Sequence, residues 1–231
     1  MIVTPVTFDL QLPPPDGRSP GIHQSSIIRN IAIEHGILTP DAVEELSLVD
    51  SRDITDPVAL GRIGLGIGWE RYYIPEVLTR HHNVLDHPPE ICHEGVYMSR
   101  DGESVSVIIT STGPRMACVV HEVKCTYKSV RTVAGRDYVI ATAEELAQAI
   151  QRQWMWMAQI KGYCLARKTR FAVLHVLFVC GDYTYPIRPK NMAWQLEFED
   201  IELENNWATL RDYRDHWLAS QDNDGIYAIG E

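Results

Sequence analysis

The sequence predicts an α/β domain in which the regular elements follow the order α-β-β-β-α-β. Three observations indicate this class: a long helical pattern precedes three strand-like segments, a second helical pattern follows them, and a near-continuous apolar run comes last. That run, Phe171–Cys180, is rich in Val and Leu, which is typical of a central strand covered on both faces. The sheet is therefore expected to lie between helices.

The first part of the chain is predicted to be mainly helical. After a proline-rich turn near Pro13, a first helix is expected over about residues 23–36, and Thr39-Pro40 begins a short second helix. A third helix is predicted from about Pro57 to His81. Its four glycines would weaken it unless another backbone packs closely against them.

The second part is predicted to alternate strands with helices. Residues 81–93 are expected to be a loop, and 127–140 a basic, mostly irregular connection. The strands are predicted at 94–99, 104–110, 116–126 and 193–200, and the helices at 142–168 and 202–219. Apolar residues occupy every second position of the predicted strand 104–110, at Val105, Val107 and Ile109.

Length and composition predict a soluble globular protein with one substantial core. The chain has 231 residues, of which 45% are hydrophobic, and no apolar run approaches the length of a membrane span. The N-terminus lacks the basic start and apolar stretch of a secretory signal. Its five cysteines are scattered, which favours reduced thiols in the cytoplasm.

Charge is distributed unevenly along the chain. The net charge is −10, but residues 1–114 carry −9, residues 115–190 carry +7 and residues 191–231 carry −8. Phosphate contacts require a local basic cluster of this kind, and acidic flanks keep nonspecific binding to duplex DNA weak. A solvated helix face and loop would explain any single one of the basic residues equally well. The cluster as a whole favours a nucleic-acid partner.

The residues that carry chemistry are an acid at one strand end and a Glu-x-Lys triplet on the next strand. Glu122 and Lys124 occupy alternate positions, so they share one face while Val123 points into the core. With Asp101 and the Val123 carbonyl they suit Mg²⁺, which takes oxygen ligands. A lysine beside a metal-bound water can orient it during attack on a phosphodiester. The pattern predicts a metal-dependent nuclease.

Asp101 with Glu122-Val123-Lys124 resembles the signature of the PD-(D/E)xK nuclease superfamily, although Arg100 replaces the proline. Two further segments narrow the resemblance to the RecB-like and phage, lambda-type exonuclease branch. Gln159-Ile160-Lys161-Gly162-Tyr163 is similar to its Q-x-x-x-Y element. Gly66–Glu70 is similar to the helix that brings an extra glutamate to the active site. The matched segments span a little over half of the chain.

The resemblance implies a restriction-endonuclease-like core, with a central mixed sheet flanked by helices. It implies a single nuclease domain over residues 1–220, with an N-terminal helical part (20–82), a catalytic core (90–200), a C-terminal helix (202–219) and then a polar tail (221–231). Such a domain hydrolyses DNA by in-line attack of a metal-activated water, and it leaves a 5′-phosphate and a 3′-hydroxyl.

The resemblance also implies a role for individual residues. The expected catalytic residues are Asp101, Glu122, Lys124 and Glu70. Mg²⁺, or Mn²⁺ as its substitute, would be bound by Asp101, Glu122, Glu70 and the backbone carbonyl of Val123. DNA contacts are expected from Gln159, Tyr163, Arg29, Lys128 and Arg131. No iron–sulfur cluster is expected, because the cysteines are not grouped near the C-terminus.

Several of these residues have a simpler interpretation. Glu70 and Arg29 fit ordinary helix-surface residues, and Asp101 fits the first position of an Asp-Gly hairpin turn. Tyr163 fits a core aromatic residue, and Glu122 fits a charge on an exposed strand face. A turn residue can also bind a metal, so the two interpretations of Asp101 are compatible.

A cluster of histidines and one cysteine raises a second metal hypothesis. The residues are His81, His82, His87, Cys92 and His93, whose nitrogen and sulfur atoms are zinc ligands in other proteins. Their spacing matches no standard zinc pattern, and histidines in polar loops are common. The alternative for His93 or His87 is a contact with DNA or assistance at the predicted metal site of Asp101. His175, inside an apolar strand, is predicted to be a hydrogen-bonded interior histidine.

The favoured function is a DNA exonuclease of phage-type recombination, repair or replication. A structure-selective or sequence-specific endonuclease of the same superfamily is the first alternative. A nuclease-fold protein that binds DNA or assembles with other proteins without cutting is the second. The expected partners are DNA and either further copies of the chain or a recombination or replication protein, in the bacterial host cytoplasm if a phage encodes the chain.

Overall fold

The structure is a computed structural model that describes residues 18–43, 56–110, 113–127, 130–134, 137–140, 142–181 and 189–224. The proline-rich turn near Pro13, the residue Lys128 and most of the predicted polar tail lie outside these residues.

The first part of the described chain is mainly helical, as predicted. Its elements are β1 (Ile22–His23), α1 (Gln24–Glu34), α2 (Pro57–Tyr73), a π-helical segment (Ile74–Thr79), a helical turn (Arg80–His82), β2 (Leu85–Asp86), β3 (Ile91–His93) and β4 (Val96–Met98). Residues 40–43 are helical too. Asp56 caps α2, because its carboxylate accepts hydrogen bonds from the backbone N–H groups of Val58 and Ala59 at 3.0 and 3.2 Å.

The second part carries most of the sheet. Its elements are β5 (Gly102–Thr110), β6 (Gly113–Thr126), β7 (Arg131–Ala134), β8 (Asp137–Ile140), α3 (Ala143–Gln151), α4 (Trp154–Ala166), β9 (Phe171–Phe178), β10 (Lys190–Glu197) and α5 (Asp200–Asp224). Thr142 and Glu145 form a capping box on α3. The helix predicted over 142–168 is divided in two, because the chain leaves helical geometry at Gln153. The connection over 127–140, which is predicted to be mostly irregular, instead contains two antiparallel strands, β7 and β8.

Five strands form a central mixed sheet in the order β10-β9-β6-β5-β2. β5 and β6 are antiparallel, β6 and β9 are parallel, and β10 is antiparallel to β9. Parallel neighbours need a crossover connection, which α3 and α4 supply. Helices α1, α4 and α5 pack on one face, and α2 with the π-helical segment packs on the other. The predicted α/β class is confirmed.

The edge of the sheet beside β5 differs from the prediction. β2, inside the segment 81–93 that is predicted to be a loop, pairs with the start of β5. β4, inside the predicted strand 94–99, joins β1 and β3 in a separate three-stranded sheet. A two-residue strand has no periodicity that a sequence could show. Gly102 permits the close approach of β2, since a Cβ there would lie 2.6 Å from Val84 Cγ1.

Each face of the sheet buries its own apolar cluster. On the α4 side the cluster includes Ile27, Val120, Ile160, Leu174 and Val176. On the α2 side it consists mainly of Tyr73, Ile74, Leu78, Val84 and Val123. Full burial of one such aliphatic side chain contributes about 1.5–3 kcal/mol relative to exposure. The two clusters therefore hold β6 firmly between helical layers.

The alternating apolar residues of β5 lie on the solvent side. Val105, Val107 and Ile109 are 70%, 62% and 68% exposed. The opposite side of the strand is the buried one, where Ser104 and Ile108 lie. The alternation therefore predicts the strand correctly without indicating which face is covered.

The glycines of α2 are mostly open to solvent. Among the described residues nothing lies within 4 Å of a Cβ built at Gly61, Gly64 or Gly68, and Gly66 is approached only by Cys125 Cβ at 3.9 Å. The close backbone packing that could compensate these glycines is therefore absent in the described part of the chain. No helix of that part is long and apolar enough to cross a membrane.

Candidate active site

The C-terminal part of β6, the central strand of the five-stranded sheet, carries the Glu-x-Lys triplet. Glu122 and Lys124 project to the same side, and their carboxylate and ammonium form an ion pair. Val123 projects to the opposite side and packs against α2 and the π-helical segment. This is the alternation that a strand imposes on successive side chains.

Glu122 is fully buried. Its Oε1 pairs with the Lys124 ammonium, while Oε2 has no hydrogen-bond partner among the described residues. Burial raises the pKa of the Glu122 carboxyl, Lys124 opposes this increase, and the charge of Glu70 adds to it. A buried carboxylate oxygen without a partner is unfavourable unless a cation compensates it.

Asp101 lies directly before β5 and next to the backbone of the triplet. Its Oδ2 accepts a hydrogen bond from the Val123 N–H at 2.7 Å. Burial raises the pKa of Asp101 well above its usual range, and the charge of Glu122 raises it further. Asp101-Gly102 is not a hairpin turn, because the strands on its two sides, β4 and β5, belong to different sheets.

A chain of hydrogen bonds connects the Lys124 ammonium with α4. Lys124 Nζ donates to Gln159 Oε1 at 3.2 Å, and Gln159 Nε2 donates to the Tyr163 hydroxyl at 2.6 Å. Burial lowers the pKa of Lys124, but Glu122 and Asp101 raise it by more, so the group stays an ammonium. Tyr163 is 3% exposed, which favours a role in supporting Gln159 over direct contact with DNA.

Glu70 projects from α2 at the edge of this group of acids. Its charge raises the pKa of both Asp101 and Glu122, so the three carboxylates share one electrostatic region. Glu70 Oε1 lies 3.1 Å from His87 Nε2, and His87 Nδ1 contacts the Asp86 carboxylate. Burial lowers the pKa of His87, but its two carboxylate partners raise it by more. No sequence pattern indicates the role of Asp86.

The acid cluster formed by Asp101, Glu122 and Glu70 has oxygen ligands that fit a divalent cation. Three carboxylates face one ammonium, and the buried Glu122 has an oxygen without a partner. Among the described residues, however, no three His, Cys, Asp or Glu side chains form a group that could hold a metal by themselves. Mg²⁺ commonly uses one or two carboxylates and completes its coordination with carbonyl oxygens and waters. Asp101 and Glu122 could supply that pair, and the Val123 carbonyl as a ligand stays a prediction.

The structure does not test the three predicted basic DNA contacts. Arg29 is half-buried on α1. Arg131 begins β7, and only its backbone belongs to the described part of the chain. Lys128 lies outside that part. Their contacts with DNA stay predictions.

The histidines and the cysteine of the second metal hypothesis lie apart. His81 and His82 are exposed in the helical turn, Cys92 is exposed on β3, and the His93 ring packs against Trp207 with 4.9 Å between ring centroids. Within the described ranges these residues form no group of three metal ligands. The structure therefore gives the zinc hypothesis no support.

A buried chain of polar side chains lies on the other face of β6. Tyr73 OH is 3.3 Å from His175 Nδ1, His175 Nε2 is 3.1 Å from His121 Nδ1, and His121 Nε2 is 2.9 Å from Ser104 Oγ. Burial lowers the pKa of His121 to about 4 and that of His175 to about 3. The prediction that His175 is a hydrogen-bonded interior histidine is confirmed. The sequence shows no signal for its pairing with His121.

Comparisons with known proteins give structural matches alone, because the chain matches no protein-family model and no curated protein. An alkaline exonuclease from Laribacter hongkongensis is similar with a TM-score of 0.46 and 10% sequence identity, over 88% of this chain and 90% of that one. The same exonuclease in complex with dAMP gives a TM-score of 0.44 and 11% identity, over 89% and 93%. A phage-related exonuclease from Haemophilus somnus 129PT gives 0.44 and 11%, over 87% and 96%. These three similarities concern the fold alone.

Proposed function

We propose that this protein is a Mg²⁺-dependent DNA nuclease. The observation that carries the proposal is the fully buried Glu122, which has an unpaired carboxylate oxygen and lies beside Asp101 and Lys124. Burying acids next to one another destabilises a protein, and groups with strongly shifted pKa values concentrate at functional sites. A structural ion pair alone would need neither the second carboxylate nor the unpaired oxygen.

Each residue of the acid cluster has a proposed role in hydrolysis. Asp101 and Glu122 would hold Mg²⁺, with Glu70 and the Val123 carbonyl as further ligands. When bound, the ion would polarise the phosphate and increase the acidity of a water. Lys124, which remains an ammonium, would orient the attacking water and stabilise the charge that develops on the phosphate. Mn²⁺ is expected to substitute for Mg²⁺.

We infer further that the enzyme is an exonuclease that digests DNA from its ends in the cytoplasm. The support is the Gln159–Tyr163 pair on α4, which contacts the Lys124 ammonium, and the basic excess of residues 115–190. The role would be phage-type recombination, repair or replication. Further copies of the chain, or a recombination or replication protein, are the proposed protein partners.

The test is digestion of linear and covalently closed circular DNA with Mg²⁺, with Mn²⁺ and with EDTA. Lys124→Ala should abolish cleavage. Arg211→Ala is the control, since it removes a cation outside the basic segment, one that pairs with Asp212 on α5 at 3.3 Å. Loss of linear DNA alone would support the exonuclease. Nicking or cutting of the circle would identify an endonuclease.

Two results would contradict a nuclease at this site. If neither substrate is cut and DNA is still bound, the chain has a binding or assembly role. If Lys124→Ala cuts as fast as the wild type, the cleavage does not arise from the acid cluster.

A further inference from the structure

His87 contacts both acids that flank Glu122 in the proposed site. Its backbone N–H donates a hydrogen bond to the Asp101 carbonyl oxygen at 3.1 Å. Its imidazole Nε2 lies 3.1 Å from Glu70 Oε1, and its Nδ1 contacts Asp86 Oδ1. His87 therefore connects the Glu70 carboxylate on α2 to the backbone carbonyl of Asp101, which precedes β5.

The backbone around His87 is tightly determined. Asp86 pairs with Gly102 in the sheet, and His87 continues this pairing through its bond to Asp101. His87 itself has a φ of 39°, a left-handed conformation that residues other than glycine adopt infrequently. The sheet edge thus holds His87 in an unfavourable conformation that directs its ring at Glu70. Strained residues of this kind cluster at functional sites.

Glu70 needs such a partner if it is to act at a defined place. It lies on a helix surface, and its side chain is partly exposed. The contact with His87 engages Oε1, and no hydrogen bond or ion pair within the described part of the chain engages Oε2. Carboxylates that bind metals are themselves held by hydrogen bonds, and loss of such a partner typically weakens metal affinity or activity by about 10- to 100-fold.

We propose that His87 is a positioning residue that fixes the Glu70 carboxylate relative to Asp101, so that Glu70 can contribute to the binding of the divalent cation. This inference rests on the proposed function, because it assigns His87 to the same site. Asp86 holds the other ring nitrogen and sets the orientation of the imidazole.

The test compares three variants of His87 in Mn²⁺ titration calorimetry and in cleavage of linear duplex DNA. His87→Ala should weaken Mn²⁺ binding and lower kcat by about 10-fold or more, with the KM for DNA within about twofold of the wild type. His87→Gln, whose amide can reach Glu70, should restore most of the loss. His87→Asn tolerates a positive φ but is too short to reach Glu70, so it should remain impaired.

The controls separate positioning from folding. His216→Ala removes an exposed histidine from α5 and should leave both measurements unchanged. In a double variant, His87→Ala should add little to the loss caused by Glu70→Gln, because both changes remove the same interaction. Thermal unfolding of each variant identifies any that fail to fold, and the Asn variant avoids the strain of Ala at this φ.

The outcomes distinguish this inference from the proposed function. If His87→Ala and His87→Asn bind Mn²⁺ and cut DNA like the wild type, the positioning role is wrong. It is also wrong if His87→Ala and Glu70→Gln weaken Mn²⁺ binding additively. If the wild type binds Mn²⁺ more tightly than the His87 variants but cuts no DNA, the proposed nuclease fails while the positioning of Glu70 stands.

Discussion

The Lys124 ammonium donates a hydrogen bond to Gln159 Oε1 at 3.2 Å, and this bond crosses from β6 to α4. Glu122 binds the same ammonium from its own strand. The lysine is therefore held by one charged partner on the sheet and one neutral partner on the helix. The Tyr163 hydroxyl in turn holds the Gln159 amide. Helix α4 thus acts as the support that sets the direction of the ammonium.

Removal of this support should lower turnover more than DNA binding. Gln159→Ala is expected to reduce kcat by about 10- to 100-fold, because a hydrogen bond to a charged group contributes about 1.5–3 kcal/mol. The KM for DNA should change little, since Gln159 is partly buried. Steady-state cleavage of linear DNA measures both constants, with Gln148→Ala on the exposed side of α3 as the control. An unchanged kcat would exclude this role for Gln159.

Divalent cations should stabilise the fold through the acid cluster. At about 100 times its Kd, Mg²⁺ or Mn²⁺ is expected to add about 2.7 kcal/mol, which raises the Tm of a chain of this size by roughly 5–10 °C. Asp101→Asn should respond weakly, and in EDTA it should unfold at a higher temperature than the wild type, because burial disfavours the Asp101 charge. Differential scanning calorimetry decides this. Equal metal responses of the two proteins would contradict the assignment of Asp101.

Glu90 should make folding stability depend on pH in the acid range. Hydrogen bonds from Ser19 and Ser99 lower its pKa from 4.5 to about 2. Between these values the unfolded chain binds more protons than the folded one, so this stabilisation is present above about pH 4.5 and is lost as the pH falls through about 2. Glu90→Gln should therefore lower the unfolding free energy at pH 7 by about 1–2 kcal/mol.

The measurement for Glu90 is urea unfolding of the wild type and Glu90→Gln at several pH values. The difference between the two proteins should shrink as the pH approaches 2. A difference that is constant from pH 7 to pH 3 would show that the hydrogen bonds do not depend on the charge. Glu76→Gln, at an exposed helix position, is the control.

Replacement of Glu103, which lies outside the proposed site, should strongly destabilise the protein. Glu103 pairs with Arg100 Nε at 3.3 Å and also with Arg167, which follows α4. Arg100 is only 4% exposed, so Glu103→Ala leaves a buried guanidinium without its charge partner and should cost about 3 kcal/mol. Glu76→Ala breaks an exposed pair and should cost less than about 0.5 kcal/mol. Equal losses in urea unfolding would contradict this view.

Two glycines should respond to alanine in opposite directions. Gly61 lies inside α2 with nothing within 4 Å of a Cβ among the described residues, so Gly61→Ala should stabilise the protein by about 0.5–1 kcal/mol. At Gly102 a Cβ would lie 2.6 Å from Val84 Cγ1 and 3.4 Å from the Leu85 carbonyl oxygen. Gly102→Ala should therefore destabilise the protein and disturb the pairing of β2. Thermal unfolding should give a higher Tm than the wild type for Gly61→Ala and a lower Tm for Gly102→Ala.

Local patterns in the sequence were sufficient for the longer helices and strands and for the orientation of the triplet. The apolar run of β9, the capping box at Thr142 and the alternation of Glu122 and Lys124 depend only on neighbouring residues. Such patterns follow from the 3.6-residue and two-residue periods of helices and strands. For this reason the α/β class could be predicted without any tertiary information.

The sequence by itself determined that an acid, a Glu-x-Lys strand and a supporting helix exist in this order. Only the tertiary structure decided which side chains meet. His87 contacts Glu70 across 17 residues, and Asp101 contacts Val123 across 22. It also decided that the apolar side of β5 faces solvent and that Tyr163 is buried. These outcomes depend on how elements that are distant in sequence pack against one another. The periodicity of a single helix or strand contains no information about that packing.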